Sequence, residues 1–314
     1  MKFTSKLIVA AILITQAGWS QGFLRPNEWK KYRWEIYGTI GSSFFIGDLG
    51  GRDLAGTLLG PADLDILMTR STESISGRLK LARTVNVSVK MAHLCLRGDD
   101  AETKEPVRNN RNLNFKSNVF EFTGRLEAGI ASRKRGANKY GIKRNYGKFR
   151  RITNELYGFV GIGAFYFRTQ GRTPENNWIQ LYRLHTEGQG LPGGPKQYSR
   201  VSWCIPIGGF YRLIYNKIWT FGMEFNYRKI FTDYIDDVSG RYYDPKALDA
   251  AYGPLSSFMA DPNKGLIPGA TLPAADATPA QRGNNRMDSY FTVEFTVGYV
   301  IKQKRKSARL RSKF

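Results

Sequence analysis

Residues 115–131 read FKSNVFEFTGRLEAGIA, and the alternation inside this stretch decides the fold. Phe120, Phe122, Leu126, Ala128 and Ile130 share one parity, while Glu121, Thr123, Arg125 and Glu127 share the other. Successive side chains of a strand point to opposite faces, so this segment has an apolar face and a charged one. The pattern recurs twice. In residues 218–230, Trp219, Phe221, Met223, Phe225 and Tyr227 oppose Thr220, Glu224, Asn226 and Arg228. In residues 287–301, Phe291, Val293, Phe295, Val297, Tyr299 and Ile301 oppose Thr292, Glu294 and Thr296. A soluble sandwich alternates too, but its strands usually run about five or six residues. Strands about ten residues long with one apolar face suit a barrel wall in lipid.

Outward from these three, eight segments read as strands: Arg33–Gly47, Ile75–Arg83, Val87–Arg97, Phe115–Ala131, Glu155–Arg168, Ser199–Tyr215, Ile218–Ile230 and Met287–Ile301. Thr84–Asn86 and Asn216–Lys217 are tight turns, and Ser132–Thr153 joins the fourth strand to the fifth. The other connections are long, and Phe231–Arg286 spans 56 residues. Turns at one end and long loops at the other are the pattern of an outer-membrane barrel. The expected class is all-β, an antiparallel up-and-down transmembrane β-barrel of eight strands with long extracellular loops and both termini periplasmic. Ten strands remain open if the 56-residue connection holds a hairpin. Eight strands enclose an interior that side chains fill, so no open pore is expected. The composition agrees, with 17 Tyr, 19 Phe and 33 Gly. Glycines such as Gly161 and Gly163 inside a strand read as relief of crowding at barrel bends.

The chain opens with Lys2 and Lys6, then the short apolar run Leu7–Thr15, then Gly18-Trp19-Ser20, which reads as a signal peptide of residues 1–20. Residues 21–301 form the expected barrel and 302–314 a basic periplasmic tail. No later stretch is apolar for 18 residues, which excludes a transmembrane helix in the sequence reading.

The formal net charge is +22, and it is unevenly placed. The connection Ser132–Thr153 carries Arg133, Lys134, Arg135, Lys139, Lys143, Arg144, Lys148, Arg150 and Arg151 without one acid. The tail adds Lys302, Lys304, Arg305, Lys306, Arg309, Arg311 and Lys313. The long loops hold more acids than bases. One expected face therefore holds nearly all the positive charge. A rim against anionic lipid heads and a docking surface for an acidic periplasmic partner both fit that distribution. On the strands, Glu121, Arg125 and Glu127 share a parity, as do Glu224 and Arg228. An Arg facing lipid at mid-depth costs about 2–4 kcal/mol, so these five are expected to form a paired network in the lumen.

Chemistry of other kinds is sparse. His93 and His185 have no catalytic motif around them, and His93 is placed near the lipid interface. Cys95 and Cys204 fall on strands that are not neighbours, so no disulfide is expected. No metal site, no cofactor and no catalytic residue is assigned. Nucleic-acid binding is disfavoured in an exported chain despite the sequence pI of about 10.0.

Several pieces in order resemble a known family. They are Trp34-Glu35-Ile36-Tyr37-Gly38, Ile46-Gly47-Asp48-Leu49-Gly50-Gly51, Ser76-Gly77-Arg78-Leu79, Leu96-Arg97-Gly98-Asp99-Asp100, Phe115 through Glu127, Tyr157 through Gly163, Pro206-Ile207-Gly208-Gly209 and Phe231 through Ser239. Over residues 33–301 the chain is similar to the PorG-like outer-membrane barrel of the type IX secretion system. The resemblance implies a non-enzymatic component bound to a periplasmic ring made of a lipoprotein and its partner, supporting protein export and gliding. Two other classes stay open: a lipid-modifying barrel enzyme whose site involves His93, and a passive barrel with adhesive loops.

Overall fold

A computed structural model describes residues 28–49, 68–103, 106–134, 152–266, 281–283 and 287–303. The described residues form nine strands: β1 (Trp34–Ile46), β2 (Arg70–Lys80), β3 (Val85–Asp99), β4 (Asn114–Lys134), β5 (Ile152–Arg172), β6 (Trp178–Gln180), β7 (Val201–Tyr215), β8 (Trp219–Ile230) and β9 (Ser289–Ile301). Eight of them make a closed antiparallel barrel. Their order is β4-β3-β2-β1-β9-β8-β7-β5, and pairing of β4 with β5 closes the ring. Closure leaves no wall strand with an unpaired edge, which is what allows strands to cross lipid.

The eight expected strands are the eight of the wall. A short hairpin forms in a different connection. β6 pairs with the end of β5 at Gln170, Gly171 and Arg172, inside the connection that precedes β7. The described part of the 56-residue connection instead holds two short helices, α2 (Pro245–Tyr252) and α3 (Pro254–Ala260). A third, α1 (Pro106–Arg111), lies between β3 and β4. β2 starts five residues before its expected start, because Arg70–Ser74 is polar on both faces and reads as loop. β4 runs to Lys134, so the backbones of Arg133 and Lys134 pair with Asn154 and Thr153 instead of turning. A register shift at Gly129/Ala131 accompanies this extension.

The apolar parity faces outward on every wall strand. Ile36 and Ile40, Ile75, Met91, Phe120 and Phe122, Val160 and Ile162, Ile207, Phe221 and Phe225, and Phe295 and Val297 are exposed. In a single chain such a belt has no water-soluble explanation. It is the lipid-facing surface of a membrane barrel. Trp34, Tyr215, Trp219 and Tyr299 ring its short-turn end, where aromatic side chains bridge hydrocarbon and water.

Inside, the filling changes along the axis. Near the loop end Phe45, Leu94, Leu96, Phe115, Val119, Phe165, Phe167 and Ile230 form an apolar cluster, capped by Ile235 and Val238 from the connection after β8. Below it the lumen is ionic. Gly161 faces Arg125 across the β4–β5 ladder. A Cβ there would collide with the Gly124 carbonyl oxygen and lie 2.9 Å from Arg125 Cγ, so glycine leaves the space that the guanidinium stem uses.

Candidate functional site

The five lumen residues named from sequence all point inward and are buried. The structure joins them with Glu294, which the alternation of the last strand already sets on the polar face, and with five that parity arguments did not single out: Glu35, Arg78, Lys90, Glu155 and Arg212. Glu224 and Glu294 are direct cross-strand partners on β8 and β9, a repulsive placement for like charges. Lys90 reaches across from β3 and separates them, 2.9 Å from Glu224 and 2.6 Å from Glu294. Arg125 donates to Glu224 at 2.6 Å, to Ser88 at 3.2 Å and to the Tyr37 hydroxyl. Glu127 takes the Arg78 Nε at 2.6 Å, with Ser88 at 2.6 Å and Asn86 at 3.1 Å. Arg78 continues to Glu35 at 2.7 Å, and Arg212 bridges Glu35 and Glu155. Toward the loops, Glu121 accepts from Arg228 at 2.8 Å and from the Tyr290 hydroxyl at 2.6 Å.

Burying such groups singly costs several kcal/mol each, so each is held by an opposite charge and by further hydrogen bonds. Aromatic faces add support, with the Arg125 guanidinium 4.6 Å from the Phe159 ring centre and that of Arg78 4.4 Å from Phe210. The side chains of Lys90, Arg125, Glu127, Glu224, Arg228 and Glu294 expose 0% of their surface. Water does not reach them from either end, so the middle of the lumen offers no aqueous path. At the short-turn end a cavity of about 160 Å³ opens, lined by Trp29, Tyr32, Arg33, Lys80 and Arg212 among others.

The loop end is closed by a knitted cap. Arg282 donates to Glu187 at 3.1 Å and to the Asp237 carbonyl at 2.6 Å. Asp237 accepts from the Thr186 hydroxyl at 2.6 Å and from the Tyr198 hydroxyl at 2.5 Å. Arg111 binds Asp100 at 2.6 Å and the Asp48 carbonyl at 2.8 Å. Burial pushes the Asp233 carboxyl up to about 7, with Asp48 and Glu187 acting the same way against the Ser239 hydroxyl. Burial likewise lifts Asp237 to about 6, opposed by the Arg282 charge.

Of the basic surface, the exposed Lys302 is placed just after β9, and the backbones of Arg133 and Lys134 at the end of β4. Arg135, Lys139, Lys143, Arg144, Lys148, Arg150 and Arg151 lie outside the described residues, as do residues 1–20 and the tail from 304. His93 faces outward, 3.1 Å from Glu73 and packed at a tilt against Phe120 with ring centres 4.7 Å apart. Among the described residues no hydroxyl or thiol hydrogen-bonds to it. Cys95 and Cys204 are free thiols. The described residues hold no group of acids, histidines and cysteines arranged for a metal ion.

No protein-family model and no curated protein matches the chain. Among solved structures it is similar to Ail, the attachment invasion locus protein of Yersinia pestis, solved with the heparin analogue sucrose octasulfate. That match has 8% identity, covers 85% of this chain and 98% of that one, and has a TM-score of 0.34. It is similar to the Neisserial surface protein A at 5% identity, over 86% of this chain and 97% of that one, with a TM-score of 0.33. A major outer membrane protein from Thermus thermophilus matches at 9% identity, 85% and 98% coverage, and a TM-score of 0.34.

Proposed function

We propose that the protein is a non-enzymatic outer-membrane barrel that anchors a periplasmic ring of the type IX protein secretion machinery, docking it through the basic short-turn end. The observation that carries this reading is the sealed lumen. A barrel whose middle is an ion-paired solid conducts neither solute nor polypeptide, so its work is done at its ends. At one end sits a connection with nine basic residues and no acid. Each exposed ion pair contributes only about 0.2–1 kcal/mol, but nine within one connection sum to several even when screened. The resemblance of residues 33–301 to the PorG-like barrels supports a lipoprotein and its companion as the partner. The signal-like start supplies export, and the lipid belt supplies the membrane.

The test is affinity purification from gently solubilised membranes. Three chains are compared: wild type, one with Arg133, Lys134 and Arg135 changed to Glu, and one with residues 132–153 shuffled at constant charge. Docking requires all three to insert and both variants to lose the ring proteins and secretion. A shuffled chain that keeps its partners and secretion overturns docking through this connection and leaves lipid contact as its role.

A further inference from the structure

Strands β2 to β5 build a graded outer wall at the loop end. Strand register stacks it in rungs. The first rung is Ile75, Met91, Phe122 and Ala164; the second is Glu73, His93, Phe120 and Tyr166. Above them come Cys95, Asn118 and Arg168, then Arg97, Lys116 and Gln170. The wall thus passes from hydrocarbon to amphipathic rings to cations within four rungs. Along the first two rungs lies an outward groove of about 660 Å³, floored where Ala164 is small between Phe122 and Tyr166. Above it, Arg97 and Lys116 are direct cross-strand partners, one rung beyond Cys95 and Asn118. Arg200 stacks over Tyr166 at the groove's edge, 5.4 Å from the ring centre.

The acids nearby neutralise this cap only in part. Asp99 is buried and holds Arg97 at 3.3 Å and Arg172 at 3.5 Å. Glu73 is turned to His93. Arg168 is exposed and reaches the Gln180 side-chain amide. The Lys116 side chain donates no hydrogen bond among the described residues. An acyl-sized groove under several cations calls for a ligand with a chain at one end and more than one negative charge at the other. A zwitterionic phospholipid brings its own ammonium and gains little. Phosphates on a sugar headgroup bring none, and guanidinium forks match phosphate oxygens.

We propose that this wall is a saturable site for a phosphorylated glycolipid, its acyl chain in the groove and its phosphates held by Arg97, Lys116 and Arg168. The site is independent of the ring-anchor reading, since it lies at the opposite end of the barrel. It is tested by native mass spectrometry of the full barrel in detergent. The probes are bis-phosphorylated lipid A, the same lipid without phosphate, phosphatidylcholine and inorganic phosphate. The chains are wild type, Arg97→Gln/Lys116→Gln/Arg168→Gln, and a control that removes exposed loop cations, Arg183→Gln/Lys196→Gln/Lys246→Gln. Binding of the phosphorylated lipid is expected to weaken by about tenfold in the wall variant and by less than about twofold in the control. The lipid without phosphate is expected to bind all three weakly and alike. The proposal is overturned if the wall variant binds as wild type does, or if phosphate removal leaves binding unchanged. It is equally overturned if inorganic phosphate displaces the lipid, which makes the site one for a free anion. Should the wall variant not insert, Ala164→Trp fills the groove with the cations intact; it must lose the lipid, and retention overturns the assignment.

Discussion

Replacing Arg125 with leucine removes the hub of the lumen. The guanidinium holds Glu224 at 2.6 Å, Ser88 at 3.2 Å and the Tyr37 hydroxyl, stacks on Phe159 and lies 3.7 Å from Glu127. In Arg125→Leu, Glu224 keeps only Lys90 as a charge partner, and Lys90 is already shared with Glu294. Removing one member of a buried pair costs about 3–5 kcal/mol, mostly from the charge left behind. Removing Glu224 as well takes that charge away. Arg125→Leu/Glu224→Leu should therefore lose less than the sum of its parts, with a coupling of about 1–3 kcal/mol. The assay is reversible urea unfolding in phospholipid vesicles, followed by tryptophan fluorescence, with heat-modifiable gel mobility to show that each variant inserts. A loss under about 1 kcal/mol for Arg125→Leu, or losses that simply add, refutes the picture of a dry, coupled network.

Further predictions concern the cap, the wall and the pore. Asp233 and Asp237 have folded pKa values of about 7 and about 6, above the unfolded carboxylate value of about 3.9. The folded cap then binds protons more tightly, so its stability is full below about pH 4 and falls as pH rises through about 6 and 7. Hydrogen exchange of residues 231–240 should be slower at about pH 5 than at about pH 8 after correction for intrinsic rates, and Asp233→Asn should flatten the difference. Gly161→Val sets a branched side chain against Gly124 and Arg125, and should cost about 1–3 kcal/mol or block insertion, whereas Gly124→Val, with no atom within 4 Å of its Cβ position, should insert normally. In planar bilayers the purified barrel should show no resolved conductance steps at neutral pH. Stable porin-like steps contradict a sealed lumen.

How much of this is legible in the sequence depends on where a residue lies along the axis. β4, β8 and β9 cross the ionic half of the lumen, and their charges sit opposite Phe, Leu and Val, so parity assigns them. β3 is ambiguous because Lys90 and Leu94 share a parity. Both point inward, Lys90 into the ionic middle and Leu94 into the apolar cluster nearer the loops. A single rule for the inner face fails where the filling changes. The polar start of β2 is hidden for a related reason, since Ser71 and Glu73 face outward above the hydrocarbon belt and need not be apolar. The cap is the least legible part. Asp236 and Asp237 belong to a long connection where no alternation assigns a face, yet they lie buried beside Ile235 and Val238, held by backbone and hydroxyl donors, some from segments far apart in sequence.

Which face of β4 meets lipid decides between a membrane barrel and any other arrangement of these strands. A spin label is carried in turn by Phe120→Cys, Glu121→Cys, Phe122→Cys, Thr123→Cys, Arg125→Cys and Leu126→Cys, in a chain with Cys95 and Cys204 replaced by alanine. Its collision rate with oxygen dissolved in the bilayer is measured by electron paramagnetic resonance. The account predicts high rates at positions 120, 122 and 126 and low rates at 121, 123 and 125. Rates that do not alternate, or that alternate in the opposite phase, contradict it.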